Sequence, residues 1–409
     1  MNVSGLIWIA TVTAGTAAGT ALALALATPS GLSRLLSGLS VIALGGSGYC
    51  VGLLAQSPAG FPAAASGAAL SALGLGAGWL TAAAVLIPRK RPHRSLAGAI
   101  DLLDHSRACV LVFACIEPEA YSLTATRERI GRLLDAGHQQ ASLVTLPLLY
   151  LAHRSRYDVA GGTNPAARQL RACAAVVSDT LSLTEPARAA DCAGAHSLAL
   201  QVSAAIRSGC TTCIVASPCI LHTCGEQDHL ARAAGIASEQ ARSVRTVDLS
   251  ASTDLVRDVL VSRVTDVAPD PAGTGVVLLS MASVQPDHTP TASTDDVEAA
   301  LLGSLSVSLV EAGFDAQSMR IAWARDAETQ ALEHVRHLAL QGLSRIVVVQ
   351  AVTPFDTLDS VIEMDLARRA MRDRCEVVAV GGWGADERIC AELARLVSRE
   401  LGACPAGSG

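Results

Sequence analysis

Before Arg89 the chain carries a single charged side chain, Arg34, and this constrains the N-terminal part more than any other feature. Three apolar stretches occupy it: Leu6–Ala27, Leu35–Ala55 and Ala68–Ile87. Each has about 20 residues, the length a helix needs to cross a hydrocarbon core of roughly 30 Å. A secretory leader would need a basic start and one short apolar core, whereas no Lys or Arg precedes the first stretch and the pattern recurs. Soluble Ala-rich helices are the alternative, but such helices keep charge on one face. Residues 1–92 are therefore predicted to form three transmembrane helices.

Basic residues flanking the spans predict orientation. Arg34 lies in the first loop, the second (Gln56–Ser66) is uncharged, and Arg89, Lys90, Arg91 and Arg94 follow the third span. The expectation is a multi-pass protein of the inner (plasma) membrane, N-terminus outside and the remainder cytoplasmic. Gly48 and Gly52, like Gly74 and Gly78, are spaced for close helix contact and offer a surface to a membrane-protein partner. Twelve cysteines do not imply disulfides in a reducing compartment, and Cys210-x-x-Cys213 stands alone without a second pair at zinc-finger spacing. They are read as mostly buried or incidental thiols. A net charge of −6 argues against nucleic acid as the main partner.

Beyond Arg94, short β-branched runs alternate with segments of helical period. Predicted strands are Cys109–Phe113, Ser142–Leu146, Thr212–Ala216, Val244–Asp248, Gly275–Leu279, Arg320–Trp323, Arg345–Gln350 and Val377–Val380. Such alternation indicates parallel sheets with crossover helices, which place ligands at the carboxyl ends of strands. A weak repeat runs through them. "ACVLVFACIEP", "CTTCIVASPCILHTC" and "RTVDLSASTDLVRDVLVSRV" are followed in the same order by "GVVLLSMASVQP", "SRIVVVQAVTPFDTLD" and "EVVAVGGWGADERICAELARLVSREL". The predicted fold is a three-helix membrane region followed by α/β: two similar parallel-sheet lobes, 93–270 and 271–409, facing one another across a cleft.

"VTPFDTLDSVIEMD" (352–365) holds four carboxylates directly after an apolar strand. With Asp356 as N-cap, Asp359 falls at N3, where an acid suits both the cap and the helix dipole. At 100° per residue, Asp356, Asp359 and Glu363 share one face, apart from the apolar stripe of Leu358, Val361 and Ile362. Asp359 and Glu363 are then like-charged neighbours that a cation would relieve. Asp365, at the stripe's edge, is expected to meet an Arg or a backbone amide.

The matching loop of the first lobe, "SPCILHTC", supplies Cys219, His222 and Cys224, donors suited to borderline metals or, equally, ordinary structural residues. "RSRYDVAGGTNP" (154–165) supplies Arg154, Arg156 and Tyr157 before a Gly-Gly turn. At a cleft these guanidinium groups would pair with ligand carboxylates; otherwise they form a solvated basic loop. "VGGWGADERI" (380–389) lacks the spacing and Lys-Ser/Thr ending of a phosphate loop, so no nucleotide is expected; it reads as a tight turn before a helix capped by Asp386.

From about Ala97 to Leu401 these stretches, in this order, resemble the ferrochelatases and the wider class II chelatases that include sirohydrochlorin chelatases. "RYDVAGGTNP" is similar to that family's Arg-Tyr, Gly-Gly, Ser-Pro stretch at the porphyrin-binding lip. "IVASPCILHTC" resembles its Leu-Pro-Leu-Tyr-Pro loop. "VVLLSMASVQP" sits where the family has Ser-Ala-His, and "TPFDTLDSVIEMD" where it has Asp-His-x-Glu-x-Leu-Tyr-Asp/Glu-x-Asp. The resemblance implies a tetrapyrrole and a divalent metal, iron or cobalt, as ligands or substrates of heme-type biosynthesis. It puts Ala282 where the family has its catalytic His, Asp359 at the acidic partner and Glu363 at the acid one turn on. His222 or Cys219 could substitute for the missing imidazole, with His288 a weaker candidate. Arg154, Arg156, Tyr157, Ala282 and Trp383 complete the expected tetrapyrrole-binding set. Two functions are expected from this: a membrane-anchored metal chelatase using Asp359, Glu363 and His222, or a catalytically inactive chelatase fold acting as a binding or scaffold protein.

Overall fold

The computed structural model describes residues 3–28, 30–56, 60–87, 107–135, 142, 144–183, 185–192, 197–221, 224–280, 292–322 and 327–402. By internal contacts the chain divides into two units: Met1–His93 with Tyr121–Gly161, and Arg94–Ala120 with Gly162–Gly409. Residues 121–161, assigned from sequence to the first lobe, thus belong with the apolar helices.

The first unit contains α1 (Val3–Ala27), α2 (Ser30–Ala55), α3 (Gly60–Leu86), α4 (Leu123–Asp135) and α5 (Leu146–Val159). Ile7–Ala27, Leu32–Leu53 and Ala63–Leu86 are each long and apolar enough to cross a membrane. α1 and α3 approach so closely that a Cβ on Gly78 would lie 2.0 Å from the Thr16 carbonyl oxygen, and one on Gly19 would lie 2.0 Å from that of Leu75. Gly74 and Gly78 therefore contact α1, whereas a Cβ on Gly48 or Gly52 of α2 would meet nothing within 4 Å.

A helix leaves its last carbonyls without intrahelical partners. Here side chains from the 121–154 region supply them. The Tyr121 hydroxyl donates to Ala27 O at 2.6 Å, Tyr150 to Leu86 O at 2.7 Å, and Arg154 Nη1 to Ala25 O and Thr28 O at 2.7 and 2.8 Å. Arg127 donates to Val85 O and Ile87 O. Two guanidinium groups at two helix C-termini also oppose the negative end of each dipole.

The second unit holds two four-stranded, all-parallel sheets. The first comprises β1 (Arg107–Phe113), β2 (Arg188–Ala190), β3 (Cys210–Ser217) and β4 (Ser243–Asp248), ordered β2-β1-β3-β4. The second comprises β5 (Thr274–Leu279), β6 (Met319–Ala322), β7 (Arg345–Gln350) and β8 (Glu376–Val380), ordered β6-β5-β7-β8. The repeat read from sequence is thus a repeat of topology. Between strands run α6 (Pro165–Leu181), α7 (Leu198–Arg207), α8 (Cys224–Ser238), α9 (Thr253–Val267), α10 (Ala292–Glu311), α11 (Ala327–Leu340) and α12 (Leu358–Met371), and α13 (Glu387–Gly402) follows the last strand. Alternate β1 residues feed different cores. Val110 and Val112 join the large core shared with the second sheet, while Cys109, Leu111 and Phe113 join a smaller core beneath α7 and α8.

The lobes exchange their last helices. α9 follows β4 of the first sheet but packs on α10, β7 and β8 of the second. α13 follows β8 but packs on α6, β3 and β4 of the first. Arg263 of α9 donates to Gly382 O at 2.9 Å, and Ser252 to Glu392 of α13 at 3.1 Å.

Three sequence expectations are corrected. Ser142–Leu146 is not a strand: it turns at Val144 and Thr145 and enters α5, its apolar run serving a helix beside α3 rather than a sheet. Arg154–Tyr157 lie inside α5 rather than in a loop. The cap of α12 is Thr357, whose hydroxyl accepts from Ser360 N, so Asp359 stands at N2. β2 went unpredicted, being three residues long with an Arg at its start.

Candidate metal centre at the ends of the first sheet

β1 and β2 leave their sheet side by side, Ala114 N donating to Ala190 O at 3.3 Å. Two residues past each strand lie Cys115 and Cys192. The Cys192 thiol donates to Ile116 O at 3.0 Å, tying the two loops together. α8 then brings Glu226 and His229, three residues apart and hence on one face, over the same strand ends. Glu226 is fully buried and accepts from the Ser217 hydroxyl at 2.8 Å. The His229 ring packs at 59° against Phe113, centroids 6.2 Å apart.

The result is a cluster in which one ligand atom each of Cys115, Cys192 and His229 lies within 4.8 Å of the others. It is the one such group of three among the described residues. A tetrahedral ion bound at 2.0–2.3 Å holds its ligand atoms about 3.3–3.8 Å apart. The side chains would close by about 1 Å to reach that geometry, and Cys192 would give up its proton and its bond to Ile116. Two sulfurs and an imidazole suit zinc, cobalt(II) or copper far better than magnesium or calcium.

Cys115 also borders a small recess of about 20 Å³ where the strand ends of the two lobes meet. Ile116, Cys219 and Glu226 line its first-lobe side, and Thr353, Phe355 and Thr357 its second-lobe side. Burial pushes the Cys219 thiol well above its ordinary pKa, and the neighbouring Glu226 charge adds to the effect. Cys219 is therefore a neutral thiol here.

The acidic stretch borders the same pocket but divides its labour differently from the sequence reading. Asp356 clasps the lobes: its carboxylate accepts from Gln169 Nε2 of α6 at 2.7 Å and from Gly382 N at 2.8 Å, while its own N–H donates to Gln169 Oε1 at 2.7 Å. Gly382 fits only without a side chain, since a Cβ there would lie 2.5 Å from Pro354 O. Asp359 and Glu363 are half-buried on α12, and neither belongs to the sulfur and imidazole cluster. Asp365 pairs with Arg369 at 2.6 Å, meeting an Arg as expected.

Of the expected tetrapyrrole-binding residues, Arg154, Arg156 and Tyr157 stand together on α5 in the first unit. Arg154 holds the end of α1, and Tyr157 is buried edge-on to Tyr121, centroids 5.8 Å apart. Trp383 is fully buried with its indole N–H directed at Ala351 O, 3.3 Å away. Asp386 does cap α13, accepting from Arg388 N at 3.1 Å. His222, Ala282 and His288 lie outside the described residues.

Sequence reasoning missed Cys115, Cys192 and His229. One local signal was present, the Glu226-x-x-His229 spacing on a helix following a Pro-containing strand end. The two cysteines join it only through sheet pairing, which spacing does not reveal.

No protein-family model matches the chain, and no curated protein does. Solved structures do match. One, described as "SirB from Bacillus subtilis with Fe3+", has 12% sequence identity and a TM-score of 0.41, the match covering 58% of this chain and 94% of that one.

Proposed function

We propose that the chain is a membrane-associated, chelatase-like protein. Its second unit takes up a divalent transition metal at Cys115, Cys192 and His229 and passes it to the adjoining inter-lobe pocket, so the metal is cargo rather than a structural ion. The observation that carries this reading is the convergence of two sulfurs and an imidazole at paired strand ends, one of the sulfurs also lining the pocket. Ligands at the carboxyl ends of parallel strands are the rule for open α/β sheets. The three long apolar helices support membrane association. A tetrapyrrole as the metal's acceptor follows from the order of the four resembling stretches. Asp359 and Glu363, a short step along α12 from the pocket-lining Thr357, are then the acids that would receive the metal or the pyrrole protons.

The test is a cobalt(II) titration of the full chain in detergent. Sulfur-to-cobalt charge-transfer absorption in the near ultraviolet is expected, and it should vanish when Cys115 and Cys192 are both replaced by Ser. A wild-type spectrum without that band overturns the reading. Adding protoporphyrin, coproporphyrin or sirohydrochlorin to the loaded protein then separates insertion, seen as the metallated spectrum, from retention, which selects the binding-protein alternative.

A further inference from the structure

The start of α5 runs beside α3, well inside the span assigned to it. The indole N–H of Trp79 donates to Val144 O at 3.0 Å, whereas Tyr150, six residues on, reaches the Leu86 carbonyl at the end of α3. Trp79 precedes Leu86 by seven residues, so at 1.5 Å per residue the Val144 carbonyl lies about 10 Å inward from the helix end. Backbone at such a depth has no water to bond and must satisfy itself. It does so. Ser142 N donates to Thr145 Oγ1 at 3.0 Å, Thr145 N and Leu146 N donate to Ser142 O at 3.1 and 3.0 Å, and Leu148 N donates to Thr145 O at 3.0 Å.

The outward side of this element is apolar. Leu146, Pro147, Tyr150 and Tyr157 face inward, while Val144 and Leu148 are 59% and 48% exposed. Ala152, Ser155 and Val159 continue the exposed stripe at helical spacing, and charge enters beside it only in the last turn, where the exposed Asp158 pairs with Arg154 at 3.8 Å. A soluble helix places its charges on such a face. At the same end Leu80 and Val85 of α3, and Ile87 just past it, are exposed and apolar, and the exposed Thr81 turns its hydroxyl onto Ala77 O.

We infer that Val144–Val159 is a fourth membrane-contacting element, a short helix entering lipid at Val144 and slanting to the ends of the spans at Arg154, with acyl chains covering Val144 and Leu148. This rests on the reading of α1–α3 as membrane spans. Tyr121, Arg127 and Arg154, which bond the last carbonyls of α1 and α3, would then stand at the headgroup level, while Tyr150 is buried within the protein.

Photolabelling of the full chain tests it, using vesicles of phosphatidylcholine and phosphatidylglycerol doped with a phospholipid carrying a diazirine in its acyl chain. The tryptic peptide Leu133–Arg154 contains Val144 and Leu148. It should be labelled at a level comparable to peptides from the three spans, and Leu148→Asp should lower that labelling several-fold while the spans keep theirs. Labelled spans beside an unlabelled Leu133–Arg154 peptide overturn the inference and leave the membrane reading standing. Spans without label overturn the membrane reading, and the inference falls with it.

Discussion

The two lobes share one strand order but present different chemistry at equivalent strand ends. In the first, β1, β2 and α8 converge thiols and an imidazole in a buried corner. In the second, the turn after β7 and the start of α12 carry carboxylates, of which Asp356 is committed to joining the lobes. Strand interiors must fill similar cores and stay alike, whereas strand ends are free of that demand and diverge. The pocket's donors are also unevenly spread: Cys115, Cys219 and Glu226 line it from the first lobe, and Thr353 and Thr357 from the second.

Breaking the thiol and imidazole side should have the largest effect. Loss of groups that merely orient a metal ligand costs roughly 10–100-fold in affinity, so His229→Ala, which removes a ligand, should weaken cobalt(II) binding by at least the upper end of that range. Asp359→Asn should leave initial cobalt binding within a few-fold and act on transfer to an acceptor. Equal losses from both variants in a calorimetric titration would refute the division of roles.

The structural side of the comparison is sharpened by Trp383→Ala, which empties a fully buried site in the loop that Asp356 grips. Large aromatic truncations cost about 3–5 kcal/mol. Because the lobes share a core and exchange helices, signals from both should shift together in chemical denaturation. Separate transitions would show that the lobes fold independently. A milder cut through the clasp is Gln169→Leu, which removes a hydrogen bond to the Asp356 carboxylate and the acceptor of the Asp356 N–H. It should cost about 1.5–3 kcal/mol by the same measurement. Thr357→Ala should cost about 0.5–2 kcal/mol as loss of an N-cap, with metal binding unchanged.

The smallest effect is electrostatic. Burial raises the pKa of Asp386, but hydrogen bonds from the Arg388 side chain and backbone, with the charges of Arg388 and Arg263, outweigh it and hold the carboxyl below its ordinary value. A depressed carboxylate stabilises the fold fully above the unfolded-state pKa, and the contribution fades as pH falls through the folded one. Asp386→Asn should therefore lower stability near neutrality and flatten its acid dependence, read from melting temperature against pH.

Much of the architecture was legible because it rests on local patterns. Charge-free runs marked α1–α3, and β-branched runs such as Arg345–Gln350 marked core strands buried on both faces. Ser142–Leu146 misled because a short apolar run fits the start of a helix as well as a strand. The acids of α12 were visible, but their roles were not. Asp356 finds Gln169 across 187 positions, and only the fold supplies that partner. The candidate metal cluster was hidden for the same reason, its cysteines brought together by β1–β2 pairing rather than by spacing.

The exchange of α9 and α13 bears on how the chain is made. During synthesis the first sheet emerges early, yet the helix that covers α6, β3 and β4 is translated only after the whole second sheet. Until then the first lobe offers an open apolar face, a transient surface of the kind chaperones shield during synthesis.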